Sequence, residues 1–140
     1  MTVSVVSSFR RISAPKKALT GVALAAATAG TLFAAAPAQA ATTEAGSAQQ
    51  IARKMIPDSA QYQCFSKIVD HESDWNVNAT NASSGAYGLV QALPGSKMAS
   101  AGSDWKTNAA TQIKWGVDYM KDRYGSPCGA WSFWQSNGWY

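Results

Sequence analysis

The sequence predicts a small, mostly α-helical domain, and three observations predict it. Apolar residues recur at helical spacing in two stretches, Phe65-Ile68-Val69 and Ile113-Gly116-Val117-Met120-Tyr124. No stretch alternates as a half-buried strand does, and there is no internal repeat or heptad run. About one hundred residues follow an N-terminal segment of forty, which is enough for one core and one domain.

Residues 1–40 read as a signal peptide. Arg10, Arg11, Lys16 and Lys17 form a basic start, an apolar run extends from Ala18 through Ala36, and Ala38-Gln39-Ala40 is a cleavage pattern. The run is near the length of a membrane span, but small residues dominate it, so removal is expected rather than anchoring. Phe9 and Ile12-Ser13, around the arginine pair, fit general secretion better than a twin-arginine route. The expected product is secreted, extracellular and without a membrane anchor. Four of the twelve basic side chains precede residue 41 and none of the eight acidic ones does, so the remainder carries eight of each. The net charge of +4 therefore belongs to the targeting segment, and the electrostatic footprint of a nucleic-acid binder is missing.

The next stretch, 41–58, is expected to be a leader and a short helix. Ala41 to Ser47 is small and polar and reads as flexible. Ala48 to Ile56 has helical spacing, with Ala48, Ile51 and Met55 on one side, and Pro57-Asp58-Ser59 ends it. The main domain is expected over 59–140. Its first helix runs from about Ala60 to Ser73 behind an Asp58 or Ser59 cap. Asp74 to Gly88 has loop chemistry, with room for a small hairpin. Pro94 suits the first turn of a short helix reaching about Ala101. Thr107 or Asn108 caps the clearest helix, Ala109 to Tyr124, and Gly125 stops it. Gly116, on the apolar stripe, would let another helix approach closely. An aromatic helix from Ala130 to about Asn137 completes the chain.

Cys64 and Cys128 are the two cysteines, in a chain directed to an oxidising compartment. Pairing them closes a loop of about 65 residues, worth roughly 4 kcal/mol in the chain-entropy account. A nucleophilic Cys64 served by His71 fails on distance, since seven residues of helix separate the two by roughly 10 Å.

Glu72 is the residue that points to chemistry. It is one of two glutamates, and it continues the Phe65-Ile68-Val69 stripe at i+7. A carboxylate on a core-facing stripe loses water, so its pKa is expected to rise. A carboxylic acid held neutral near pH 7 can protonate a leaving oxygen. Other chemistries lack their residues. His71 is the only histidine, so H-E-x-x-H is incomplete, and neither a metal nor a cofactor is expected. There is no G-x-S-x-G and no Ser-His-Asp set.

His71-Glu72-Ser73, then Asp74-Trp75-Asn76, then Ser84-Gly85-Ala86-Tyr87-Gly88-Leu89-Val90-Gln91 and Pro94 together resemble the signature of the lytic transglycosylases of the lysozyme-like superfamily. In that family a Glu-Ser pair closes the catalytic helix, and a loop leads to Gly-Ala-x-Gly-Leu-Met-Gln. Val90 stands here in place of the methionine. Gln112-Ile113, Gly116 and Tyr119-Met120 are similar to the family's later helix, so the resemblance spans about residues 60 to 140.

The resemblance implies a lysozyme-like fold and peptidoglycan glycan strands as substrate, cut between N-acetylmuramic acid and N-acetylglucosamine. Glu72 would protonate the glycosidic oxygen and then, as a carboxylate, remove the proton of the muramyl C6 hydroxyl to leave a 1,6-anhydro end. Gln91 matches the cleft glutamine, and Ser84 and Tyr87 are further substrate-binding candidates. Ser84 would bond an acetamido group or the catalytic carboxylate, or serve its turn; Tyr87 would stack on a sugar or pack inward. At the C-terminus the family has Ala-Tyr-Asn-x-Gly, its tyrosine facing the glutamate. Trp134 and Gln135 take those places here, and an indole N–H would replace the hydroxyl. Of the six tryptophans, Trp134 and Trp75 are expected to line the groove. A monomer associated with the cell wall is expected.

Two alternatives stay open. A muramidase would activate water with a second carboxylate, Asp74 or Asp104, whereas Asp70 falls on the solvent side of its helix. A catalytically weak wall-binding protein would keep the fold and the groove.

Overall fold

The computed structural model describes residues 38–140, with side chains from Glu44 onward. The expected signal peptide, 1–40, lies outside the described residues apart from its last three positions. Four α-helices follow in order: α1 Ala38–Met55, α2 Ser59–Ser73, α3 Ala109–Tyr124 and α4 Pro127–Asn137. A 3₁₀ helix spans Gly95–Ser100. Helix α4 packs on both α2 and α3, and α1 packs on the same two. None of the described helices is long and apolar enough to cross a membrane.

Helix α1 departs from expectation. It begins at Ala38 and runs through the stretch read as a flexible leader. Alanine has the highest intrinsic helix propensity, and the alanine-rich start propagates helix from an anchored end. That anchor is Ala48 and Ala52, at 1% and 0% exposure, with Ile56 just beyond the helix. Because α1 supplies core residues, the folded domain starts well before residue 59.

Helix α2 follows its sequence closely. The Asp58 carboxylate accepts from the Gln61 N–H at 2.9 Å, capping the N-terminus. Phe65, Ile68 and Val69 are fully buried, each contributing on the order of 1.5–3 kcal/mol by leaving water. Asp74 ends the helix in the left-handed region, at φ 49°. Helix α3 has the expected bounds, with Asn108 capping Ala110 and Thr111. Helix α4 starts three residues earlier than expected, since Ser126 caps Gly129 and Pro127 opens the first turn. The Cys64–Cys128 disulfide joins α2 to the start of α4, with 4.9 Å between Cα atoms.

The loop after α2 is not a hairpin. It carries only isolated bridges, Thr80 to Tyr87 and Tyr87 to Ala92. Its shape comes from one buried amide on α3. Gln112 accepts from the Leu89 N–H at 2.8 Å and donates to the carbonyls of Val77 (3.0 Å) and Trp105 (2.8 Å). Leaving such backbone groups unpaired in the core would cost about 1–3 kcal/mol each. Gly88 allows this approach, because a Cβ there would lie 2.5 Å from the Gln112 oxygen. At Gly116 a Cβ would meet Val90 Cγ1 of the loop at 2.5 Å and Phe65 Cε2 of α2 at 3.4 Å, so a loop residue as well as the expected helix approaches closely. The short helix expected after Pro94 is present as the 3₁₀ helix, with Pro94 at its N-cap position and Ala101 at its end.

Candidate active site

The last turn of α2 carries Glu72 out of the core stripe and into a groove of about 310 Å³. Ser73 fixes the opposite wall, since its hydroxyl donates to the Leu89 carbonyl at 2.8 Å. The adjacent Glu-Ser pair thus does two jobs: one side chain faces the groove and the other holds the glycine-rich segment beside it. Val90 and Gln91, which follow Leu89, line the groove.

Glu72 is half-buried, and its carboxyl is held from α4. The Trp134 indole N–H donates to Oε1 at 3.0 Å. The Trp134 ring is itself fixed by stacking, with centroids 4.3 Å from His71 and 5.2 Å from Trp131. Burial pushes the Glu72 pKa above the ordinary glutamate value, while the Trp134 hydrogen bond and the His71 charge pull it partly back. The net shift is upward, the direction its place on the stripe predicts.

Gln91 lies in the left-handed region at φ 48°, where a non-glycine residue is strained. Its side chain stabilises this turn by donating to the carbonyls of Gly88 (3.0 Å) and Ala79 (3.3 Å). With the amide nitrogen so used, its oxygen is the group left for a ligand. Ser84 also lines the groove, and its hydroxyl accepts from the Ala86 N–H at 3.2 Å.

Two expected groove residues are elsewhere. Tyr87 packs inward, edge-on to Trp105 at 5.5 Å, and its hydroxyl donates to the Lys106 carbonyl at 2.8 Å. Trp75 is a core residue, 1% exposed, whose indole N–H donates to Asp70 at 2.6 Å. Trp134 is not among the groove-lining residues, and it meets the site through the hydrogen bond of its N–H to Glu72.

Further aromatic residues line the groove. Trp115 and Tyr119 stack at 5.2 Å and form one wall. They are an i, i+4 pair flanking the core stripe of α3, and that spacing was the available signal. Tyr140 also lines the groove and donates to the Val90 carbonyl at 2.8 Å. Burial, and then the charge of Glu72, push its phenol pKa well up, so it stays a donor. No local pattern marks that contact, which spans fifty residues.

None of the other candidate carboxylates reaches the groove. Asp74 caps α2, and Asp70 holds Trp75. Asp104 accepts from Thr111 (2.7 Å) and Asn108 (2.6 Å), and these bonds lower its pKa. Among the described residues Glu72 is the only carboxyl side chain lining the groove, and no cluster of three His, Cys, Asp or Glu side chains forms.

A small helical domain with one disulfide and one acid at the edge of a groove is lysozyme-like in class. The chain belongs to the Transglycosylase SLT domain family, whose model matches residues 49–136. Its activity is accordingly of the transglycosylase type and directed at peptidoglycan. The match begins ten residues before the expected domain start, in keeping with the burial of α1. No curated protein and no solved structure matches the chain.

Proposed function

We propose that the protein is a secreted lytic transglycosylase that cuts the β-1,4 bond between N-acetylmuramic acid and N-acetylglucosamine, with Glu72 as both acid and base. The observation that carries this reading is the single carboxyl side chain in the groove. A two-carboxylate glycosidase needs a partner roughly 5–9.5 Å across the bond. Asp70, Asp74 and Asp104 are committed to structural hydrogen bonds or helix ends outside the groove. The alanine-rich targeting segment supports secretion to the wall.

The reaction balances on one proton. Protonated Glu72 gives its proton to the glycosidic oxygen as the muramyl C1–O bond breaks. The carboxylate then takes the proton of the C6 hydroxyl, whose oxygen closes on C1. Glu72 ends the cycle protonated, and no water enters the product. An indole N–H donates and cannot accept, so Trp134 keeps Oε1 as an acceptor in both states. The mobile proton therefore belongs to Oε2. A tyrosine hydroxyl at the same place could both donate and accept, and would not impose this choice.

Glu72→Gln tests the assignment, because it keeps the acceptor for Trp134 and removes the proton. Digestion of sacculi by the variant should fall by at least a thousandfold while its circular dichroism and thermal melt stay cooperative. Retained turnover would place the acid elsewhere.

A further inference from the structure

The groove that holds Glu72 carries one more charge. Lys97, near the end of the 3₁₀ helix, is the only basic side chain among its lining residues. Its ammonium has no acidic partner, since the sole salt bridge among the described residues joins Lys114 to Asp118. It does not serve Glu72 either, whose proton affinity is set by burial, Trp134 and His71. Lys97 shares the groove with Leu93 and Trp139, which are 52% and 54% exposed. An unpaired ammonium beside two exposed apolar side chains suits a ligand with an apolar sugar face and an anionic arm.

We propose that Lys97 forms a subsite for a carboxylate of the peptide stem, so that the groove prefers strands whose stem carboxylates are free to strands whose stem carboxylates are amidated. This inference rests on the peptidoglycan reading above. In a stem-bearing strand the lactyl carboxyl of muramic acid is tied up in the amide to the stem, so the sugars are uncharged and the carboxylates belong to the stem. Glu72 sits in the same groove, so a stem held at Lys97 belongs to a sugar near the bond being cut. A rim charge interacts through water, which limits the preference to about fivefold in kcat/KM. It should act through KM, as binding shared by ground and transition states does, and should fade with salt.

The test uses strands with free stem carboxylates and the same strands with those carboxylates converted to amides, both freed of phosphate-containing wall polymers; removing the stem altogether would leave a free lactyl carboxylate on muramic acid. Wild type should favour the strands with free stem carboxylates about fivefold at low ionic strength and lose most of that preference in high salt. Lys97→Met should bring the ratio close to one by raising KM on strands with free stem carboxylates, and Lys97→Arg should keep the preference. A ratio unchanged in Lys97→Met would overturn the subsite, as would an equal loss on both substrates. Failure of wild type to release 1,6-anhydro ends from either strand would instead remove the transglycosylase reading, with the subsite untouched as the cause.

Discussion

Trp134 Nε1 lies 3.0 Å from Glu72 Oε1 and donates a hydrogen bond to it across the α2–α4 contact. The two helices are tied by Cys64–Cys128 at the far end of that contact, so the acid and its donor are set by the packing of whole elements. His71, one residue before Glu72, stacks on the Trp134 ring and closes the arrangement. The acid, its donor and the ring that braces the donor thus come from two consecutive residues of α2 and one of α4.

Removing that donor should change both rate and pH dependence. Trp134→Phe keeps an aromatic ring against His71 and deletes the N–H. A hydrogen bond to a charged group is worth about 1.5–3 kcal/mol, so kcat/KM should fall roughly ten- to a hundredfold. The bond lowers the Glu72 pKa, so its loss raises that pKa further. Activity that requires the protonated acid declines as pH rises through the pKa, and the alkaline limb should therefore move to higher pH in the variant. A pH–rate profile with an unmoved limb would contradict this.

Glu72 should also weaken the fold at neutral pH. Its folded-state pKa is raised by burial, so folding favours the protonated form. For such a group the favourable term is fully present below the unfolded pKa of about 4.3 and is lost as pH rises through the folded value. Glu72→Gln removes the titration and should raise Tm at pH 7. The difference from wild type should shrink as pH drops below about 4. Calorimetric melts across that range measure it directly.

Gly116→Ala should be destabilising, and Val90 should be the reason. The added methyl would sit 2.5 Å from Val90 Cγ1, and overpacking of this kind costs about 1–3 kcal/mol. Trimming the partner in Gly116→Ala/Val90→Ala should recover part of the loss, with a coupling energy of at least about 0.5 kcal/mol by denaturant unfolding. Since the Val90 carbonyl accepts from Tyr140, the single variant should also lose activity by moving the groove wall. Additive stabilities would show that the two residues do not meet.

Opening the disulfide should cost most of the domain's stability. The bond closes 64 residues of chain, and the chain-entropy account gives roughly 4 kcal/mol. For a domain of this size Tm should fall by roughly 15–30 °C in Cys64→Ser/Cys128→Ser. The intact protein should show no titratable thiol under non-reducing conditions.

The sequence discloses some of this architecture and hides the rest for physical reasons. Helices α2 and α3 are legible because their caps, Asp58, Asn108 and Gly125, and their apolar stripes are local signals. The start of α1 is hidden because an alanine run carries no cap and no stripe. Pro127 after Ser126 was a readable start for α4 that the aromatic run overshadowed. Glu72 is legible from its stripe, and Trp134 from its position in the family pattern. Tyr87 and Trp75 go the other way. An aromatic residue in a polar loop looks like a ligand platform until distant partners, Trp105 with the Lys106 carbonyl and Phe65 with Asp70, show it to be packed. The loop's shape is similarly hidden, since Gln112 sets it from as far as 35 residues away.

The central claim is that one carboxyl group completes the cut without water, and the oxygen content of the product tests it most directly. Sacculi digested by the wild-type protein in water enriched in heavy oxygen should yield 1,6-anhydromuramyl ends that carry no label. Labelled, reducing muramic acid ends would show that water attacks C1, and would contradict the account.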